Sequence, residues 1–93
     1  MELLSPYRRR IDDLDDQIME LFSQRFEVIR EVAELKNKHN IPAVLQDRVD
    51  EVRERNAETG AQKGLDADFV RKLYTLIIDE ACDLEDRLMG NKE

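Results

Sequence analysis

One position in the N-terminal half of this chain carries a guanidinium where a helix seam calls for an aliphatic side chain. Leu21, Val28, Val32 and Leu35 follow the alternating four- and three-residue spacing of a buried helical stripe, and the position completing the series is Arg25. Lys36 lies eleven residues further on, three helical turns, so the two cations share a face with Ile29 and Val32 between them. Near the start of the same helix, Arg8 follows Tyr7 at the edge of the stripe. A buried guanidinium without an anion is expensive, so it calls for an internal carboxylate or a bound anionic ligand. Glu85 is the internal candidate, following Ile78 and Ala81 at spacings of seven and four on the apolar face of the last helix. An Arg25–Glu85 or Lys36–Glu85 pair would neutralise one cation, whereas a ligand site would use the same groups to hold carboxylates. Spacing alone leaves both open. For Lys36, near its helix end, and for Arg8, in the Arg8-Arg9-Arg10 run, a third reading is a stem lying along the seam with its charge in water.

The other reactive side chains carry less. His39 falls at a helix C-terminus, where an imidazolium complements the dipole, and it has no Cys or His companion at metal-ligand spacing. Cys82 is expected as a thiol at the core edge, since no base partner accompanies it. Asp12, Asp13, Asp15 and Asp16 read as a solvated face, and no glycine-rich phosphate loop is present. Neither a cofactor nor a metal is expected.

Three helices must position these groups. The first is expected over about 5–39, with Ser5 as N-cap, Pro6 at the first helical position and a stop at Asn40-Ile41-Pro42. Its apolar stripe begins with Tyr7, Ile11, Leu14, Ile18 and Leu21. A second, thinly apolar helix is expected over about 46–60, followed by a loop from Gly60 to Gly64 with a glycine stop signal at each end. The third is expected over about 66–89, capped by Asp66 and carrying a wide apolar face, with Asn91-Lys92-Glu93 as a frayed tail. The sequence thus reads as one all-α domain over residues 1–93, a three-helix protomer. The first helix would be about 50 Å long, against about 30 Å across a compact chain of this size. The two shorter helices cannot cover that seam, so a homodimer is expected.

Composition narrows the partners. The 93 residues include 22 acidic and 15 basic side chains, a net charge of −7, which argues against nucleic acid as a ligand. A local cationic pocket is still compatible with that balance. No apolar run approaches the ~20 residues that span a bilayer, so no membrane role is expected. With one cysteine and no basic-then-apolar leader at the N-terminus, a reducing, cytoplasmic setting is expected.

These residues, in this order, resemble the all-helical class of chorismate mutases over essentially the full chain. The pattern is Arg8-x-x-Ile11-x-x-Leu14-Asp15, then Arg25, Lys36, Ile41-Pro42 and Arg48. It closes with Leu65-Asp66-Ala67 and Leu73-Tyr74-x-Leu76-Ile77-Ile78-Asp79-Glu80-Ala81. The resemblance implies an intertwined homodimer with two active sites built from both chains, and rearrangement of chorismate to prephenate without a cofactor. It implies that Arg25 binds a carboxylate of the substrate, that Arg8 reaches in from the other chain, and that Lys36 meets the ether oxygen and a carboxylate. Arg48 would line the pocket, and position 85 would donate a second hydrogen bond to the ether oxygen. Three departures are present. Position 85, often Gln, is Glu85, which donates only when protonated, so activity rising toward acid pH is expected. The acids that meet the ring hydroxyl in familiar members are replaced by Leu45 and Val49, and a Ser near the substrate carboxylate is replaced by Ala81.

The departures keep two relatives on the same scaffold in play, isochorismate-pyruvate lyase and 4-amino-4-deoxychorismate mutase. A different class, the non-catalytic helical dimerisation module, is disfavoured because a scaffold has no use for Arg8, Arg25, Lys36 and Arg48 together.

Overall fold

The computed structural model describes residues 3–90, which form three α-helices and no strand. They are α1 (Ser5–Lys38), α2 (Gln46–Gln62) and α3 (Ala67–Leu88). The tail expected at Asn91-Lys92-Glu93 lies outside the described residues.

The ends of the helices follow local chemistry. α1 begins one residue earlier than a Ser5 cap would place it. Leu4 occupies the N-cap without a side-chain capping bond, and its carbonyl accepts from the Arg8 N–H at 2.9 Å. Pro6 is already inside the first turn, where its missing N–H is of no consequence. At the other end, Asn40 takes a left-handed φ of 58° and the Ile41 N–H reaches back to the Lys36 carbonyl at 2.8 Å. That is a Schellman stop, with asparagine in the place glycine usually fills. α3 starts on Asp66, whose carboxylate accepts from the Phe69 N–H at 2.9 Å.

Gly60 does not end α2. The helix runs through it to Gln62 and stops at Gly64, whose φ is +87°. There the Leu65 N–H bonds the Gly60 carbonyl at 2.9 Å and the Gly64 N–H bonds Ala61 at 3.1 Å, the two bonds of a Schellman motif. Gly60 serves packing instead: a Cβ built on it would lie 2.7 Å from Val70 Cγ2 of α3.

α3 is the central element. α2 packs along one side of it and the C-terminal half of α1 along another, while the α1 and α2 backbones do not approach each other. The buried apolar residues are small or aliphatic: Ala33, Ala43, Ala57, Val70, Ile77, Ile78 and Ala81. On α1, Phe22, Phe26, Ile29 and Ala33, at spacings of four, three and four, are half-buried or buried. The stripe read from the sequence lies partly on a neighbouring face, and most of it is uncovered: Tyr7 is 59% exposed, Leu14 56%, Leu21 63% and Leu35 55%. The chain extends 55 × 23 × 20 Å, with a radius of gyration of 16.6 Å. A compact chain of this length would have a radius of about 12 Å. No helix is long and apolar enough to cross a membrane among the described residues.

Candidate active site

Because α1 and α2 both lean on α3 without meeting, a cleft remains between them with α3 as its floor. It encloses a cavity of about 460 Å³, within the ~300–1,000 Å³ range of small-molecule pockets. α1 contributes Arg25, Val28, Ile29, Val32 and Lys36, and α3 contributes Ile78, Ala81, Cys82 and Glu85. The opposite wall is Ala43, Leu45, Arg48, Val49 and Val52, from the α1–α2 connection and α2. Polar groups thus converge on a largely aliphatic chamber.

Lys36 is the most constrained of them. Its Nζ donates to Glu85 Oε1 at 2.7 Å and to the Ala43 carbonyl at 2.8 Å, and the lysine and glutamate side chains are 14% and 6% exposed. The ammonium has three N–H bonds, so one remains for a ligand. Of the two internal pairs open to Glu85, the structure forms the one with Lys36 and not the one with Arg25. The reason is geometric: Lys36 lies across from Glu85, eleven residues and three turns along α1 from Arg25.

Arg25 is left without an internal anion. Its Nη1 is buried with no hydrogen-bond partner, and its Cζ stands over the Tyr74 ring, 5.9 Å from the centroid. A guanidinium in this condition favours an anionic ligand, ideally one that accepts two parallel hydrogen bonds. Arg48 stands at the rim, two-thirds exposed, where it donates to Glu51 on the same helix.

Seven residues singled out from the sequence, Arg25, Lys36, Leu45, Arg48, Val49, Ala81 and Glu85, line one cavity. Arg8 does not. It lies seventeen residues before Arg25 on the same straight helix, about 25 Å away, and cannot reach this cavity within one chain. Cys82, expected at a core edge, also faces the cavity, where burial and then the Glu85 carboxylate raise its thiol above the ordinary value, against the opposing pull of Lys36. The sequence reading did not place Val28, Ile29, Val32, Ala43, Val52 or Ile78 among the site residues, though all six line the cavity. Ile78 and Val52 were visible as members of apolar stripes. Ala43 acts through its backbone carbonyl, which no side-chain pattern reveals.

The family whose sequence model matches is chorismate mutase type II, over residues 7–86. The chain is 33% identical over 89 residues to the 4-amino-4-deoxychorismate mutase of Streptomyces venezuelae, spanning 96% of this chain and 86% of that protein. It is 32% identical over 88 residues to the protein of the same name from Streptomyces pristinaespiralis, spanning 95% and 68% of the two chains. With the chorismate mutase of Methanocaldococcus jannaschii it shares 27% over 79 residues, spanning 85% and 80%.

Proposed function

The chain belongs to the chorismate mutase type II family and is an isomerase; from that premise we propose that it rearranges chorismate to prephenate in the cleft between α1 and α2. The observation carrying this reading is Arg25, a guanidinium buried on an apolar wall with an unpartnered nitrogen and no internal carboxylate. The ligand it calls for is an anion small enough for the cavity and apolar along its ring. Chorismate has two carboxylates and a ring, and an enolpyruvyl ether joins one carboxylate to that ring.

The reaction is one pericyclic step: the ether C–O bond breaks while a C–C bond forms between the enolpyruvyl carbon and the ring. No group leaves and no electron is exchanged with the protein. Arg25 holds a carboxylate, and the aliphatic walls confine the side arm over the ring, which reduces the entropy barrier. The ether oxygen gains negative charge as its bond breaks. The free N–H of Lys36 meets it there, strengthening in the transition state more than in the ground state. Glu85, when protonated, donates the second hydrogen bond, while Arg48 closes the rim.

Arg8 enters this reading from a second copy of the chain. The support is the uncovered apolar stripe of α1, in which Tyr7, Ile11, Leu14, Ile18 and Leu21 are 43–63% exposed. Monomeric proteins rarely leave so long an apolar surface in water. A two-fold pairing along α1 would cover it and carry Arg8 toward the other copy's cleft. The single cysteine agrees with a cytoplasmic setting for this dimer.

A second substrate is favoured by a specific observation. Leu45 and Val49 present aliphatic groups where family members have acids facing the ring hydroxyl, and both Streptomyces relatives are named 4-amino-4-deoxychorismate mutases. The same rearrangement would then act on the amino analogue. Separate incubations with chorismate, 4-amino-4-deoxychorismate and isochorismate decide the matter. Loss of chorismate absorbance with prephenate formed is the expected result, and a far larger kcat/KM on the amino analogue would shift the assignment to it. Pyruvate release from isochorismate alone would overturn both.

A further inference from the structure

We infer that Tyr74 is a positioning residue for Arg25, its ring fixing the guanidinium at the cavity wall where a carboxylate meets it. The inference rests on the proposed dicarboxylate reading of the cleft.

Arg25 forms no hydrogen bond or ion pair among the described residues, and one of its nitrogens is buried. A long side chain with no internal partner would ordinarily spread over several rotamers, and ligand binding would have to order it. Tyr74 offers the restraint: the guanidinium carbon stands 5.9 Å from its ring centroid, within reach of the ring's negative face. Both residues are partly buried, so water screens this attraction less than it would at the surface. Arg10 and Tyr7 make a pair at the same 5.9 Å, yet both are exposed and neither lines the cleft. Distance alone therefore does not distinguish Tyr74; its place beside an unpartnered cavity cation does.

The scaffold suits the role. Tyr74, Ile78, Ala81 and Glu85 follow one another along α3 at spacings of four, three and four, so they share a face of one rigid helix. Ile78, Ala81 and Glu85 floor the cavity, while Tyr74 stands one turn beyond it and supports Arg25 from outside. Tyr74 acts through Arg25 and has no direct contact with the reacting atoms.

The test compares Tyr74→Phe with Tyr74→Leu. The leucine variant should raise KM roughly five-fold with kcat within about two-fold, because a carboxylate anchor serves ground and transition states alike. The phenylalanine variant keeps the ring and should stay close to the parent KM. The Nε–H NMR signal of Arg25, identified by its loss in Arg25→Lys, gives a readout independent of turnover. It should lie upfield of the other arginines in the parent and in Tyr74→Phe, and join them in Tyr74→Leu. An unshifted parent signal, or an unchanged KM in a folded Tyr74→Leu, overturns the inference. If the parent turns over none of the three substrates, the proposed function fails, while the NMR signal still decides whether Tyr74 holds Arg25.

Discussion

Lys36 and Glu85 share one short hydrogen bond, and its character decides what the cleft can do. An ionised Glu85 accepts from Lys36 and has no proton for a ligand; a protonated one can donate to an ether oxygen. Glutamine at the same place both accepts from Lys36 through its carbonyl and donates through its amide. Glu85→Gln should therefore raise kcat/KM by about ten-fold, because the amide always has a proton to donate. An unchanged kcat/KM in a folded Glu85→Gln would remove Glu85 from the chemistry. At this scale much was legible: Arg25 interrupts an aliphatic series, and that alone marks it. Which cation Glu85 would neutralise was not legible, because Arg25 and Lys36 share a helical face and the choice depends on how α1 is placed along α3. Tyr74 did carry a signal, its common stripe with Ala81 and Glu85, but an aromatic on an apolar stripe looks the same whether it packs or positions.

The helices themselves follow from periodicity and capping, and the misplaced boundary of α2 shows where that method stops. Glycine signals both a left-handed stop and a close approach, and only three-dimensional packing says which. Gly64 has the positive φ, while Gly60 lets α3 approach so closely that Val70 fills the space of a Cβ. Gly60→Ala gains up to about 1 kcal/mol of helix propensity. It must also displace a buried β-branched side chain, and overpacking of this kind costs about 1–3 kcal/mol. The expected net is a loss of about 1 kcal/mol in urea unfolding, and the loss should shrink when Gly60→Ala is made in a Val70→Ala background. A stabilised single variant would show that the two helices separate freely. α2 is further tied to α3 by Arg71, which donates to Glu54 at 3.0 Å while also holding Asp68 at 2.7 Å. Hydrogen bonds from Arg71 and then Arg53 keep the Glu54 carboxyl below its ordinary value. The folded state thus favours the ionised form, and this contribution is complete above the unfolded carboxyl range near ~4.3 and lost as pH falls through the lower folded value. Glu54→Gln should lower the thermal midpoint slightly at pH 7 in low salt, and the difference should vanish in strong acid or in high salt.

At the scale of the molecule, one chain is too long for its own core. α1 spans 34 residues, about 51 Å, and only its C-terminal half lies against α3. The repeat in its sequence marks an apolar surface that the chain's other helices leave exposed, and a period of 3.6 residues cannot say what covers it. That is why the stripe reads as a seam in the sequence and stands uncovered in the single chain. It is also why Arg8 belonged to the candidate set by resemblance and falls about 25 Å from Arg25 in one chain. If each active site combines Arg25 of one copy with Arg8 of the other, Arg8→Ala and Arg25→Met should each be nearly inactive as homodimers. Mixed, unfolded and refolded together in equal amounts, they should form heterodimers in which one site carries both substitutions and the other neither. Half of the dimers would be of this kind, each with one intact site of two, so recovered activity should be about one quarter of the parent. A site confined to one chain gives no recovery, since every site would then hold one substitution. Leu14→Glu should break the same arrangement by placing a charge in the paired stripe, giving a monomer by sedimentation at concentrations where the parent is dimeric. Such a monomer retaining full activity would return the entire site to a single chain and leave the α1 stripe without a catalytic purpose.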